Sequence, residues 1–341
     1  VMLAGKQTGE DAGECYGCML LYSGNFKAEA EKDQYEQTRL VMGLSDEMFS
    51  WKLEPGETFD TPETAFSYSA NGFSTLSWNL HRLIRSHICR SAYRDTKRPV
   101  LINNWEATYF DFTGEKIIEI AKQAAELGVE MLVLDDGWFG KRDDDLAGLG
   151  DWTVNEKKLG MPLGKVAEKI RGLGMKFGIW IEPEMANTTS ELYEKHPEWV
   201  LKAPNREIVL GRGGTQVVLD LSNPEVQDFI FGIVDNLMTT YPEIDYIKWD
   251  ANMSILNHGS QYLPSDQQSH MYIEYHEGFK KVCERIRAKY PDLTLQACAS
   301  GGGRANYGVM PYFDEFWVSD NTDALQRIYM QWGTSYFFPA I

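Results

Sequence analysis

The stretch MLVLDDGW, residues 131–138, sets the pattern on which the fold prediction rests. Four apolar residues lead into two aspartates, a glycine and a tryptophan, as in a buried strand that reaches the end of its sheet. Near-continuous apolar runs of this kind are typical of parallel strands covered on both faces. The same form recurs in VLINNW (100–105), KFGIWIEPE (176–184), QVVLD (216–220), DYIKWD (245–250), LTLQACAS (293–300) and EFWVSD (315–320).

Helical patterns separate most of these runs. After VLINNW, apolar residues recur at helical spacing from Ile117 to Ala124, and Gly128 ends the helix. After QVVLD, Asn223 is placed to cap a helix that begins at Pro224 and carries a long apolar stripe. Alternating strands and helices predict a parallel sheet with helical crossovers.

We therefore predict an α/β fold, a (β/α)8 TIM barrel over residues 98–341, with its eighth strand beyond the C-terminal end. A doubly wound sheet is the alternative, but it usually has a glycine-rich phosphate turn after its first strand, and VLINNWEATYF has none. Residues 1–72 show the short strands and Gly/Pro turns of a β-rich domain, and residues 73–97 predict a helical connector, helical over 73–90. The last residues, SYFFPAI, stop within an apolar run, which suggests a piece of a longer protein.

Charge and cysteine content limit the partners. The chain has 33 basic and 50 acidic side chains, a formal net charge of −17, so neither nucleic acid nor an anionic membrane is an expected partner. No apolar run is long enough to span a bilayer. Five cysteines, an odd number without a regular framework, favour a reducing compartment such as the cytoplasm. Cys15 and Cys18 form a CxxC motif, but the second ligand pair of a zinc site is missing.

The strand ends carry the candidate functional residues, because in a barrel they meet at one mouth. A single strand-end aspartate is more often a turn former or helix cap, and Asp220 fits that interpretation. Glu182 and Glu184 flank a proline and could either anchor a loop or serve the site, while the tryptophans could be core residues or a platform for a sugar. The residues at these ends are Trp105, Asp135, Asp136, Trp180, Glu182, Glu184, Asp220, Lys248, Asp250, Cys298, Trp317 and Asp320.

Asp250 is the strongest catalytic candidate. Lys248 lies on the same side of the strand, and we expect its charge to keep Asp250 ionised while Trp249 packs on the opposite side. Two carboxyl groups in one pocket, one anionic and one protonated, are the equipment for splitting a glycosidic bond. Asp320 is the natural second member of such a pair.

Two other classes of protein stay open on this pattern. Asp135, Glu182 and Asp250 could bind magnesium in a metal-dependent barrel with Lys248 as base. A non-catalytic sugar-binding protein is also compatible. The tract CASGGGR (298–304) lacks the Gly-Lys-Ser/Thr end of a phosphate loop, and its glycines are better suited to a close approach of backbone and ligand.

In this order, NNWEATYFD, LDDGWFG, FGIWIEPEM, VLDLSNPEV, YIKWDAN, CASGGGR and WVSDNTDA resemble the glycoside hydrolase family 36 α-galactosidases, over roughly residues 97–341. The resemblance implies a retaining hydrolase for terminal α-galactosyl residues of oligosaccharides such as melibiose or raffinose, with Asp250 as nucleophile and Asp320 as acid/base. It implies no metal or cofactor. The substrate-binding residues it implies are Trp105, Asp135, Asp136, Trp180, Arg212, Lys248, Cys298 and Gly301, to which the strand-end pattern adds Trp317.

The resemblance also sets finer expectations. Asp323 lies in the same tract as Asp320, but it falls where the next helix begins and is expected to cap it. The tract QACASGGGRANYG departs from the usual family pattern near Gln296 and Asn306, which leaves α-N-acetylgalactosaminidase activity as an alternative. Residues 1–72 correspond to the end of the family's β-sandwich domain, and family members are often homo-oligomers when full-length.

Overall fold

The computed structural model describes residues 1–340, which divide into two compact units. One unit comprises Val1–Thr96 together with the residues from Gly301 onward, and the other comprises Lys97–Ser300. Among the described residues, no helix combines the length and apolar character needed to cross a membrane.

The N-terminal part of the first unit contains five antiparallel strands. They are β1 (Met2–Ala4), β2 (Cys15–Leu20), β3 (Phe26–Lys32), β4 (Thr38–Leu44) and β5 (Thr64–Ser69). Strands β1, β2 and β5 form one sheet in that order, and β3 pairs with β4. This antiparallel arrangement fits the predicted end of a β-sandwich domain.

The helix predicted after the β-rich segment is present. Helix α1 (Gly72–Leu83) continues as a π-helical turn, Ile84–Ile88, and a 3₁₀ turn follows at Ala92–Arg94. Its apolar side is buried because Leu76 and Leu80 pack with Cys15 and Met19 of β2 in one core cluster. The predicted helix over 73–90 is therefore confirmed.

The second unit holds a parallel sheet with helices between its strands. Five strands lie in the order β12, β11, β8, β7, β6, and every neighbouring pair is parallel. The strands of this unit are β6 (Leu101–Asn103), β7 (Met131–Leu134), β8 (Lys176–Ile181), β9 (Met185–Asn187), β10 (Gln216–Val218), β11 (Ile244–Trp249) and β12 (Thr294–Ala297). The helices are α2 (Trp105–Thr108), α3 (Gly114–Glu126), α4 (Glu156–Leu159), α5 (Leu163–Arg171), α6 (Glu191–Lys195), α7 (Arg212–Thr215), α8 (Pro224–Thr240) and α9 (Met271–Lys289), with 3₁₀ turns at Pro197–Trp199 and Ser265–His270.

This sheet is that of the predicted TIM-barrel-like α/β fold, but one strand was predicted wrongly. QVVLD is not a strand of the parallel sheet, because Gln216–Val218 pairs antiparallel with β9 in a separate two-stranded sheet. The helix after it matches the prediction: α8 begins at Pro224, and the Asn223 side chain accepts a hydrogen bond from the backbone N–H of Glu225 at 2.9 Å.

Strand register decides which side chains reach the strand ends together. Tyr246 of β11 lies beside Gly178 of β8, and Lys248 lies beside Trp180. A Cβ on Gly178 would come within 3.0 Å of atoms of both Tyr246 and Val133, so only glycine fits there. Since side chains alternate along a strand, Asp250, Lys248 and Tyr246 share one face of the sheet.

The first unit is completed by β13 (Glu315–Phe316) and α10 (Ala324–Ser335). The Asp323 side chain accepts a hydrogen bond from the N–H of Gln326 at 2.9 Å, so the predicted cap is confirmed. The apolar run EFWVS is strand only at its first two residues.

Candidate active site

The residues just beyond the parallel strands stay in register. The N–H of Asp250 donates to the carbonyl of Ile181 at 2.8 Å, and the N–H of Cys298 donates to the carbonyl of Trp249 at 2.8 Å. Glu182, Asp250 and Cys298 therefore follow three adjacent strands side by side. All three side chains are buried.

Asp250 accepts two hydrogen bonds. The indole Nε1–H of Trp180 donates to Oδ2 at 3.0 Å, and the N–H of Ala251 donates to Oδ1 at 2.9 Å. The side chain is 6% exposed, so these donors replace water around the carboxylate. Trp180 is itself 2% exposed, with Phe139 stacked on it at a ring-centroid distance of 6.2 Å, so in this structure it acts as a donor from the core.

The hydrogen-bonded ion-pair partner of Lys248 is Asp135. Its Nζ donates to Asp135 Oδ2 at 2.8 Å, and the Asn103 side-chain amide donates to the same oxygen. Burial lowers the pKa of the Lys248 ammonium, but Asp135 most and Asp250 less raise it, and the net shift is upward. Asp250 therefore acts on the charge of Lys248 less strongly than Asp135 does, and the expectation that Lys248 keeps Asp250 ionised stays a prediction.

Asp136 is held by a buried arginine. Arg142, 1% exposed, donates through Nε to Oδ1 at 3.0 Å and through Nη2 to Oδ2 at 2.8 Å. Burial raises the pKa of the Asp136 carboxyl above its ordinary value, against the opposing effect of Arg142. Sequence reasoning missed Arg142, although it is the one arginine in the acidic run KRDDDL after the DDGW motif.

Glu184 anchors helix α9, as the loop-anchor interpretation allowed. Its Oε1 accepts from Trp249 Nε1–H at 2.8 Å, and its Oε2 accepts from the Tyr275 hydroxyl at 2.8 Å. Trp249 is fully buried and contacts Phe279 of α9 edge to face, with ring centroids 6.1 Å apart. The prediction that Trp249 packs on the opposite side from Asp250 is confirmed.

Glu182 is fully buried as well, but within the described part of the chain only one of its two carboxyl oxygens has hydrogen-bond partners. Oε1 accepts from the Gln216 side-chain amide at 3.2 Å and from the N–H of Asn252. Among residues 1–340, Oε2 has no hydrogen-bond partner. Burial, and then the nearby Asp250, raise the pKa of Glu182 to about 8.

The remaining predicted residues of this unit, Trp105 and Arg212, each begin a short helix. Trp105 starts α2 and contacts Tyr109 and Phe110 edge to face, at ring-centroid distances of 5.3 and 5.0 Å. Arg212 is exposed, with Nη2 3.4 Å from Asp145 Oδ2. Among the described residues, no group of three or more His, Cys, Asp or Glu side chains is arranged to hold a metal ion.

Asp220 is a turn former, as predicted from its position before the Ser-Asn-Pro helix start. It follows β10 and accepts from both the N–H and the hydroxyl of Ser222, at 3.0 and 2.5 Å. These contacts and one from the Ser260 hydroxyl satisfy its carboxylate.

Asp320, Trp317 and Gly301 belong to the first unit. The indole Nε1–H of Trp317 donates to Asp320 Oδ1 at 2.9 Å. Gly301 has φ of 87°, and a Cβ on it would lie 2.8 Å from Ser319 Cα and 2.9 Å from the Asp320 nitrogen. Gly301 thus lies close to the chain's own backbone at Ser319 and Asp320, and the predicted close approach to a ligand stays a prediction. Asn306 bonds to the Ser23 hydroxyl at 3.1 Å in the same unit.

The parallel sheet and the acidic side chains that follow its strands define a TIM-barrel-like α/β protein. The sequence model described as Melibiase matches residues 58–341, and the one described as the glycosyl hydrolase family 36 N-terminal domain matches residues 1–54. The chain belongs to the melibiase family.

Individual relatives agree with this assignment. The chain is 50% identical over 339 residues to the bifunctional alpha-galactosidase/sucrose kinase AgaSK of Mediterraneibacter gnavus, covering 99% of this chain and 35% of that protein. It is 46% identical to alpha-galactosidase AgaA of Geobacillus stearothermophilus, covering 46% of it. The crystal structure of AgaA matches with a TM-score of 0.95, covering 99% of this chain and 47% of that one. The structure of an AgaA variant in complex with raffinose matches with a TM-score of 0.94 at 45% identity, covering 99% of this chain and 47% of that one. The chain thus spans at most about half the length of these relatives.

Proposed function

We propose that the protein containing this chain is a retaining α-galactosidase that hydrolyses terminal α-galactosyl residues of oligosaccharides such as melibiose or raffinose. One observation carries the proposal: Asp250 is a buried carboxylate at the end of a parallel strand, and it accepts hydrogen bonds from two N–H groups, as suits a nucleophilic carboxylate. The names of the relatives and the raffinose complex of an AgaA variant support the substrate class.

In the proposed reaction, Asp250 Oδ attacks the anomeric carbon while Asp320 gives its proton to the leaving oxygen. The glycosidic bond breaks and a covalent galactosyl ester forms on Asp250. Asp320, now a carboxylate, takes a proton from water, which attacks the same carbon and frees Asp250. Two inversions at one carbon return the α configuration, and neither a metal nor an organic cofactor is consumed.

The same proposal assigns sugar binding to the surrounding polar groups. The ion pair of Lys248 with Asp135 would present both donors and acceptors to sugar hydroxyls from one fixed position. Asp136 would accept hydrogen bonds from sugar hydroxyls through the lone pairs that Arg142 does not occupy. The further proposed binding residues are Trp105, Trp180, Arg212, Cys298, Gly301 and Trp317. Assembly as a homo-oligomer is also proposed, on the family resemblance, and light scattering of the full-length protein tests it.

Hydrolysis of an aryl α-galactoside by the full-length protein tests the proposal. Asp250→Asn and Asp320→Asn should each reduce kcat by at least about 1000-fold, roughly 4 kcal/mol. Asp323→Asn is the matched control for Asp320, because Asp323 only caps α10 and asparagine caps equally well. Proton NMR of the first product formed should show α-galactose.

Other outcomes would replace the proposal. Turnover of the aryl α-N-acetylgalactosaminide in preference to the galactoside would assign the alternative specificity. Sugar binding without hydrolysis would make the protein a carbohydrate-binding one. β-Galactose as the first product would mean inversion, and activity abolished by a chelator would mean a metal-dependent reaction.

A further inference from the structure

Glu182 is a buried carboxyl group that the proposed reaction does not use. It follows β8, and Asp250 follows the adjacent strand β11, on the same face of the sheet. Glu182 is fully buried, yet the ion pairs among residues 1–340 give it no cationic partner within 4.0 Å. The cation that opposes its protonation, Arg142, is already bound by both oxygens of Asp136.

The two oxygens of Glu182 have different surroundings. Oε1 accepts from the Gln216 amide and the Asn252 N–H, whereas Oε2 is buried with no partner among the described residues. An unpartnered carboxylate oxygen is far more costly to bury than the O–H of a neutral acid. The geometry therefore favours a carboxylic acid whose proton is on Oε2.

The contact through Oε1 reaches the nucleophile's own loop. Asn252 lies two residues after Asp250, and its side-chain oxygen accepts from the N–H and hydroxyl of Ser300, at 3.1 and 2.9 Å. Glu182 thus links the ends of β8, β11 and β12 through Asn252. A shift of this loop would turn the Asp250 carboxylate away from its attack position, and about 1 Å of misplacement can cost roughly 100-fold in rate.

We propose that Glu182 is a positioning residue for Asp250 that acts as a neutral carboxylic acid, fixing the loop without adding a second negative charge beside the nucleophile. The kinetic part of this inference rests on the proposed function. Among the charged groups that act on Glu182, Asp250 and Asp136 favour its protonation and Arg142 opposes it. The pKa of Glu182, about 8, agrees with the geometry.

Three variants of the full-length protein test the proposal by kinetics. Glu182→Gln keeps the Oε1 acceptor and puts an N–H where the acid has its O–H, so kcat should stay within about threefold of the wild type. Glu182→Leu loses the contact to Asn252, and kcat should fall about 100-fold with a much smaller change in KM. Glu184→Gln is the matched control: both Glu184 oxygens accept from N–H or O–H donors, so the same swap there should lower the melting temperature.

Two further readouts test the protonation without any turnover. Infrared difference spectra at pH 7 should show a carboxylic-acid C=O band that is absent from Glu182→Gln. Between pH 4.5 and about 8 the unfolded chain releases the Glu182 proton while the folded chain keeps it, so wild-type stability falls as pH rises. The melting temperature of Glu182→Gln, minus that of the wild type, should therefore increase with pH across this window.

The proposal is overturned if Glu182→Gln is as slow as Glu182→Leu, since the charge would then be required. It is also overturned if Glu182→Leu keeps wild-type kcat, or if the infrared band is missing and the difference in melting temperature does not depend on pH. An inactive wild-type protein would refute the proposed function instead, and the spectroscopic and melting measurements would still decide whether Glu182 carries a proton.

Discussion

Replacing Lys248 by methionine tests the ion pair at the centre of the site. Lys248 and Asp135 are 11% and 4% exposed, and their charged atoms are 2.8 Å apart. Removing one partner of a buried pair costs about 3–5 kcal/mol, because the other charge stays buried and uncompensated. Asp135 would keep the Asn103 amide and the Asp136 N–H as donors, so we expect the lower end, about 3 kcal/mol of unfolding free energy.

The chain offers a control of matched burial. Lys158 is also 11% exposed, but its partner Asp143, at 3.0 Å, is 75% exposed and can be solvated when the lysine is lost. Lys158→Met should therefore cost only about 1 kcal/mol. Denaturant titration of both variants measures the difference, and adding Asp135→Asn to Lys248→Met should restore part of the lost stability.

Activity separates a structural lysine from a functional one. If Lys248 also binds sugar hydroxyls, Lys248→Met should lower kcat/KM by roughly 100-fold, about 2.7 kcal/mol, at temperatures where the variant is folded. The Asp135→Asn double variant should not regain this activity. Near-normal kcat/KM with reduced stability would make Lys248 a structural ion-pair partner only. A stability loss no larger than that of Lys158→Met would refute the reasoning from the buried pair.

Three shorter predictions follow from the proposed function. In a ligand-bound crystal structure of the full-length protein, the Asp250 and Asp320 carboxyl groups should lie about 5 to 5.5 Å apart, and a separation near 9 Å would indicate inversion. Gly301→Ala should reduce kcat by about tenfold or more, because its Cβ would meet the backbone at Ser319, and wild-type kinetics would contradict this. Trp180→Phe removes one donor to Asp250 and should cost roughly 10- to 100-fold in kcat; no change would mean that the bond is catalytically irrelevant.

The fold was predictable where the local sequence pattern alone determines the structure. Apolar runs, helix caps such as Asn223 and the alternation of side chains along β11 gave the parallel strands, their crossovers and the common face of Lys248 and Asp250. The error was QVVLD, which is apolar, β-branched and followed by a helix start, yet pairs with β9. Sequence alone does not specify the partner of a strand, and a fully buried antiparallel pair has the same pattern as a parallel strand.

The contacts within the site were harder to predict for a related reason. The alternation of side chains along β11 places Lys248 on the same face as Asp250. Its contact with Asp135 depends on the order and register of the strands, which the sequence does not give. The roles of Arg142 and Glu182 depend on burial, which a loop motif does not disclose. The sequence pattern therefore identified candidate residues, and the three-dimensional structure identified the hydrogen-bond and ion-pair partners of each.

Chemical rescue of the nucleophile variant tests the central claim most directly. Asp250→Gly of the full-length protein should be inactive on an aryl α-galactoside, and added azide should restore turnover by attacking the anomeric carbon in place of the carboxylate. Because that attack is a single inversion, NMR should identify the product as β-galactosyl azide, whereas Asp320→Gly with azide should give the α product. An α-azide from the Asp250 variant, together with a β-azide from the Asp320 variant, would exchange the two roles and contradict the assignment of Asp250 as the nucleophile.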